Sequence, residues 1–173
     1  MNTLLDLLKS RYSLRLYDVG KKLSPEVLGK ILEAAHWAPS AVNRQPWKFT
    51  VFQSEESLKV IQQVYPRPWF TRAPCVVVVS GNRSEAWVRP SDGWNSLETD
   101  LALVMDHLTL AATALGVGSC WISNFDYEKL RGILGLAHGE EVFALTPLGY
   151  PGENDLPPAS RERKSLKELI DYR

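Results

Sequence analysis

The sequence predicts a layered domain in which helices cover both faces of a β-sheet. Three observations predict it. The run Pro74-Cys75-Val76-Val77-Val78-Val79 is apolar without alternation, as in a strand buried on both sides. Residues 24–38 read as an amphipathic helix, with Val27, Leu28, Ile31, Leu32 and Ala35 on one stripe. Residues 96–115 form the longest helical pattern. Leu97, Leu101, Met105, Leu108, Ala112 and Leu115 share one side, and Leu103, Val104, Leu110, Ala111 and Ala114 populate the other. A helix apolar nearly all round is buried nearly all round, as a central helix or at a subunit interface.

The remaining elements follow in order. Leu4, Leu5 and Leu8 recur at helical spacing, which predicts a short helix over residues 2–10. Arg11-Tyr12-Ser13-Leu14-Arg15 comes next; an extended chain there places Arg11, Ser13 and Arg15 on one side. Ser24-Pro25 is a helix start, a hydroxyl cap followed by proline at the first helical position. Pro39 stops that helix, because the residue before a proline is pushed out of the α region. Residues 47–52 read as a strand, 54–64 as a helix, and 82–95 as a surface loop carrying Trp87 and Trp94. Gly116 and Gly118 end the long helix as left-handed caps. Residues 119–122 and 142–148 read as strands, 127–134 as a helix, 154–160 as a proline-rich linker, and Ser165 opens a short final helix. Trp37 is expected to pack from within its helix, and Trp47 to wall the loop between them. His107 is expected to be a hydrogen-bonded helix histidine.

A chain of 173 residues is expected to form a single domain over 1–173. Net charge is zero, so no basic field exists to hold a nucleic-acid backbone. Cys75 and Cys120 sit in strand-like runs and read as small buried hydrophobes in a reducing compartment. No apolar run approaches membrane-spanning length, and the N-terminal residues lack a signal-peptide core. The expectation is a cytoplasmic protein with neither a nucleic-acid nor a membrane partner.

Several chemistries lack their machinery in the sequence. There is no Cys/His cluster at zinc spacing, no Gly-x-Ser-x-Gly elbow and no Gly-x-x-x-x-Gly-Lys loop. Gly116-Val117-Gly118 follows a helix rather than a strand and lacks the third glycine of a dinucleotide fingerprint. What remains is arginine near both chain ends and an amide-bearing loop between them. Arg11, Arg15, Arg161 and Arg163 suit a phosphate, through charge-assisted bidentate hydrogen bonds. Ser40, Asn43 and Gln45 suit a heteroaromatic edge that alternates donors and acceptors. Flavin mononucleotide (FMN) has that shape, with a phosphate at one end and a pyrimidine edge at the other.

The chain resembles the short members of the flavin-dependent nitroreductase family over nearly its whole length. Arg11-x-Ser13-x-Arg15 is similar to the family's opening motif. Ala38-Pro39-Ser40-x-x-Asn43-x-Gln45-Pro46-Trp47 matches its most specific signature. The strand at 74–80, the helix end Leu115-Gly116-Val117-Gly118-Ser119-Cys120-Trp121, Leu148-Gly149-Tyr150-Pro151 and Arg161-x-Arg163 follow in the family's order.

This resemblance implies an α+β fold, a central mixed sheet flanked by helices, in an intertwined homodimer with two FMN sites at the interface. It implies that Arg11, Ser13 and Arg15 hold the phosphate end with Arg161 and Arg163, and that Tyr12 contributes its backbone. Pro39, Ser40 and Ala41 would lie along the ring. Asn43 and Gln45 would meet the ribityl chain and pyrimidine edge, in some members from the partner subunit. Gly118, Ser119 and Cys120 would bring backbone near the ring. The implied reaction is a ping-pong exchange: NAD(P)H gives a hydride to FMN N5, and a nitroaromatic, quinone or similar electron-poor small molecule takes it. No side-chain acid or base is required, so no catalytic residue is named. Other readings of the sequence are a dehalogenase- or dehydrogenase-type flavin enzyme, a flavin-scavenging protein without turnover, and a dimeric scaffold without flavin.

Overall fold

The computed structural model describes residues 3–155, 157 and 161–173. Helix α1 (Leu4–Ser10) starts at a capping box, in which the Thr3 hydroxyl accepts the Asp6 N–H and the Asp6 carboxylate accepts the Thr3 N–H. Helix α2 (Pro25–His36) starts where the Ser24 hydroxyl accepts the Val27 N–H at 3.2 Å. It buries Leu28, Ile31 and Ala35, the expected stripe. It ends two residues earlier than the Pro39 rule alone predicts, since Trp37 already stands at φ −78°, ψ 4°. That position also overturns the packing expected of Trp37, which is 76% exposed. At 100° per residue, position 37 points away from a stripe that passes through 31 and 35.

Four strands form the sheet: β1 (Trp47–Phe52), β2 (Cys75–Asn82), β3 (Gly118–Ser119) and β4 (Glu140–Gly149), in the order β1-β2-β4-β3. All three named pairings are antiparallel. Among the described residues, parallel pairing is confined to a bridge between Ser13 and Ser119, so the mixed character of the sheet reduces to that contact. β2 lies between β1 and β4, and its residues 75–81 are all buried. Its side chains alternate between two cores, as the strand period requires. Val77 and Val79 pack with Leu28, Ile31 and Ala35 of α2 and with Leu101, Met105 and Leu108 of helix α4 (Leu97–Ala114). Val76 and Val78 pack with Phe52, Val64, Phe70, with Ile61 of helix α3 (Glu55–Ile61), and with Leu130 of helix α5 (Tyr127–Leu134). Helices therefore cover both faces, as the uninterrupted valine run predicts.

α4 is less enclosed within one chain than its composition predicts. Leu97, Leu101, Val104, Met105, Leu108 and Ala112 are buried, but Leu103 and Leu115 are exposed and Leu110 and Ala111 half-buried. Gly116 ends the helix at φ +71°, a left-handed position that suits glycine. Gly118 is no cap; it opens β3. The expected final helix is only a single 3-10 turn, Leu166–Glu168. Within the expected linker, residues 156 and 158–160 lie outside the described residues. His107 Nδ1 lies 3.1 Å from the Leu103 carbonyl, the structural role expected of it. Among the described residues, no helix is long and apolar enough to cross a membrane.

One glycine fixes how the loop after α2 meets the sheet. An added Cβ at Gly81 would stand 2.4 Å from the Pro46 carbonyl oxygen and 2.8 Å from Leu97 Cδ1. Pro46 comes that close because its carbonyl accepts the Asn82 N–H at 3.1 Å. Gly81→Ala is therefore expected to cost about 1–3 kcal/mol of stability, the usual penalty for overpacking. Thermal unfolding should show the loss; an unchanged midpoint would mean that the loop yields freely.

Candidate functional site

The sequence-predicted residues fall into two groups, at opposite ends of α4. The first group gathers around residues 11–15. The Ser13–Ser119 bridge, with the Leu14 N–H donating to the Ser119 carbonyl at 2.9 Å, lays that segment beside β3. Gly118 permits the approach, since a Cβ there would stand 2.0 Å from Leu14 Cδ2. Arg161 joins from the other end of the chain. Its guanidinium donates to the Arg11 carbonyl and, at 2.7 Å, to the Lys9 carbonyl. Tyr12 donates its hydroxyl to Asp155, and burial, with that carboxylate beside it, raises the phenol pKa to about 12. Arg163 lines a shallow hollow with Leu5, Leu8, Lys9 and Arg161.

A cavity of about 390 Å³ opens here, among Lys9, Tyr12, Thr113, Val117, Gly118 and Arg161. Its walls combine apolar surface with cationic side chains. Among the described residues, Arg11, Arg15, Arg161 and Arg163 make no ion pair, whereas Arg83 and Arg89 are each held by a carboxylate. The cavity lining holds Lys9 and Arg161 and no carboxylate, which favours an anion. Among the described residues, the Ser119 hydroxyl is buried without a hydrogen-bond partner. Cys120 is buried behind β3.

The second group is the loop after α2. Pro39, Asn43 and Gln45 are exposed, and Ser40 and Ala41 half-buried. Val42, Asn43 and Gln45 have φ of 46°, 58° and 52°, the left-handed region that β-branched residues in particular avoid. Internal bonds hold this shape. The Gln45 N–H donates to the Ser40 hydroxyl at 2.9 Å, and the Gln45 amide nitrogen to Asn43 Oδ1 at 3.2 Å. The loop is anchored to the first turn of α4, where Asp100 Oδ1 accepts the Ala41 N–H at 2.9 Å. Trp47 follows as a half-buried residue against the core, as expected of a wall.

From Asp100 to Thr113, which lines the cavity of the first group, α4 rises roughly 20 Å. Within one chain the arginines and the amide loop thus do not meet.

Two contributors escape the sequence reading. Asp100 is a carboxylate in the register of the apolar stripe, three residues after Leu97 and four before Val104, and that misplaced charge was its signal. Trp69 lies 5.8 Å from the Arg15 guanidinium, ring face to cation. Its only signal was the run Tyr65-Pro66-Arg67-Pro68-Trp69.

The donor set fits FMN in two halves. The arginines on either side of Ser13 suit the phosphate end, and the exposed amides of Asn43 and Gln45 suit a pyrimidine edge.

Comparison with known proteins identifies a family. A model of the nitroreductase family matches residues 8–66 and 56–150. The chain is 33% identical over 156 residues to an Archaeoglobus fulgidus protein named as a candidate NADH dehydrogenase/NAD(P)H nitroreductase, covering 87% of each. It superimposes with a TM-score of 0.89 on a nitroreductase family protein from Clostridium difficile, 32% identical, covering 99% of this chain and 98% of that one. A crystal structure described as an oxidoreductase containing FMN shares the fold at a TM-score of 0.75 and 24% identity, covering 88% and 79%.

Proposed function

The chain belongs to the nitroreductase family, and from that premise we propose that it is an FMN-dependent NAD(P)H oxidoreductase acting as a homodimer, each flavin site taking its arginines from one subunit and residues 39–45 from the other. The observation that carries this is the separation of the two groups along α4. A second copy supplies what one chain lacks. The surfaces for such a dimer are present: Leu103 and Leu115 of α4, Leu4 and Leu5 of α1, and Leu166 and Leu169 near the C-terminus are exposed apolar side chains. Two free, buried cysteines fit a reducing, cytoplasmic setting.

When bound, FMN supplies the two-electron chemistry, accepting a hydride from a nicotinamide and delivering one to an electron-poor acceptor such as a nitroaromatic or quinone. The chain binds and orients. Arg11 and Arg15 offer guanidinium donors to the phosphate, and Arg163, which donates one N–H to the Glu162 carbonyl at 3.1 Å, offers its remaining ones. Arg161 spends donors on the Lys9 and Arg11 carbonyls, so it shapes the site and adds charge. Ser40, Asn43 and Gln45 meet the ribityl chain and pyrimidine edge, and residues 118–120 lay backbone beside the ring. Positive charge near the cofactor favours its anionic reduced form.

The test is anaerobic mixing of the purified yellow protein with NADH and with NADPH. Rapid bleaching of the visible flavin band with at least one is the expected result. A yellow protein that bleaches with neither is a flavin carrier rather than a reductase. A colourless protein that takes up no added FMN overturns the flavin assignment itself.

A further inference from the structure

Asp100 is 1% exposed, in the first turn of α4. A buried carboxylate needs hydrogen-bond donors, and it has two. The Ala41 N–H donates to Oδ1 at 2.9 Å, and the Ser96 hydroxyl donates to Oδ2 at 2.8 Å. The loop thereby tethered is strained, with left-handed backbone at Val42, Asn43 and Gln45. Such backbone persists only where its surroundings over-determine it. The bonds from Gln45 to Ser40, from Asn43 to Ser40 and from Arg44 to Ala41 tie the loop to itself. Two bonds tie it to the core: the Asn82 N–H to the Pro46 carbonyl at the exit, and the Ala41 N–H to Asp100 at the entry.

We propose that Asp100 is a positioning residue, which holds residues 40–45 in the shape that reads the flavin by gripping the Ala41 N–H without touching the cofactor. This rests on the flavin reading above. The alternative is that Asp100 serves only α4, through Ser96. The two roles separate by variant. Asp100→Asn keeps an acceptor for the Ala41 N–H and presents an amide to Ser96. Asp100→Ala loses both contacts, and Ser96→Ala loses only the second.

The experiment is FMN titration of the apoprotein by fluorescence quenching, with the thermal midpoint recorded for each variant. Asp100→Ala is expected to weaken FMN binding by roughly tenfold or more, while Asp100→Asn and Ser96→Ala stay within about threefold of wild type. A purely structural Asp100 would lower the midpoint and leave the affinity unchanged, which overturns the proposal. Equal loss in Asp100→Asn and Asp100→Ala overturns it too, because charge rather than the gripped N–H would then matter. Should Asp100→Ala fail to fold, Ala41→Pro removes the N–H and keeps the carboxylate. It is expected to show the same loss, and unchanged affinity there overturns the proposal. A wild-type chain that binds no FMN overturns the flavin reading and this proposal together; a wild type that binds, with variants that bind equally well, overturns this proposal alone.

Discussion

Replacing Arg11 and Arg15 together by alanine is expected to weaken FMN binding by about a hundredfold. A hydrogen bond to a charged group is worth about 1.5–3 kcal/mol, and about 1.4 kcal/mol is tenfold in affinity. Both side chains are at least partly open to solvent, so the lower end of that range applies to each. The loss should shrink as salt rises, because screening already weakens the wild-type contacts. Titration at two ionic strengths measures both effects; a double variant that binds within about threefold of wild type at low salt removes the phosphate assignment. Lysine is not a neutral replacement, since a point charge cannot reproduce the bidentate fork. Arg161→Ala is a poorer probe of the phosphate. It also cuts the bonds to Lys9 and Arg11 that join the chain ends, so lost affinity there mixes two causes.

The parts of this fold legible in the sequence are those that local rules decide. Ser24-Pro25 sets the start of α2, the valine run of β2 requires two covering layers, and β1 and α5 occupy the spans their patterns predict. Where tertiary contact decides, the sequence is silent. The composition of residues 96–115 allows a central helix or a subunit interface, and only the structure shows that the Leu103 side of α4 stays open in one chain. Residue types at 11–15 and 39–45 suit a phosphate and a ring edge, and it is their combination with Arg161 and Arg163 in one chain that raises them above an ordinary basic turn and a polar loop. Their separation depends on where α4 carries each of them, which spacing along the chain does not encode. Asp100 illustrates the same limit. Its place in an apolar register marks it as odd, but only the structure shows that the charge is spent on a backbone N–H fifty-nine residues away.

Co-expression of two inactive chains is expected to restore activity, if each site draws on two subunits. One chain carries Arg11→Ala and Arg15→Ala; the other carries Asn43→Ala and Gln45→Ala. Each homodimer has two damaged sites. In the mixed dimer, one site joins the mutated arginines of the first chain to the mutated loop of the second. The other joins the intact arginines of the second chain to the intact loop of the first. With random pairing of equal amounts, half the dimers are mixed and each has one whole site, so about a quarter of wild-type activity returns. A site contained within one chain predicts none, because every chain is damaged in one half. The measurement is nicotinamide-dependent reduction by the co-expressed pair against each variant alone, with bound flavin counted from the visible spectrum. The roughly 20 Å that α4 places between Asp100 and Thr113 is what makes this outcome expected, since no single chain brings its own loop to its own arginines.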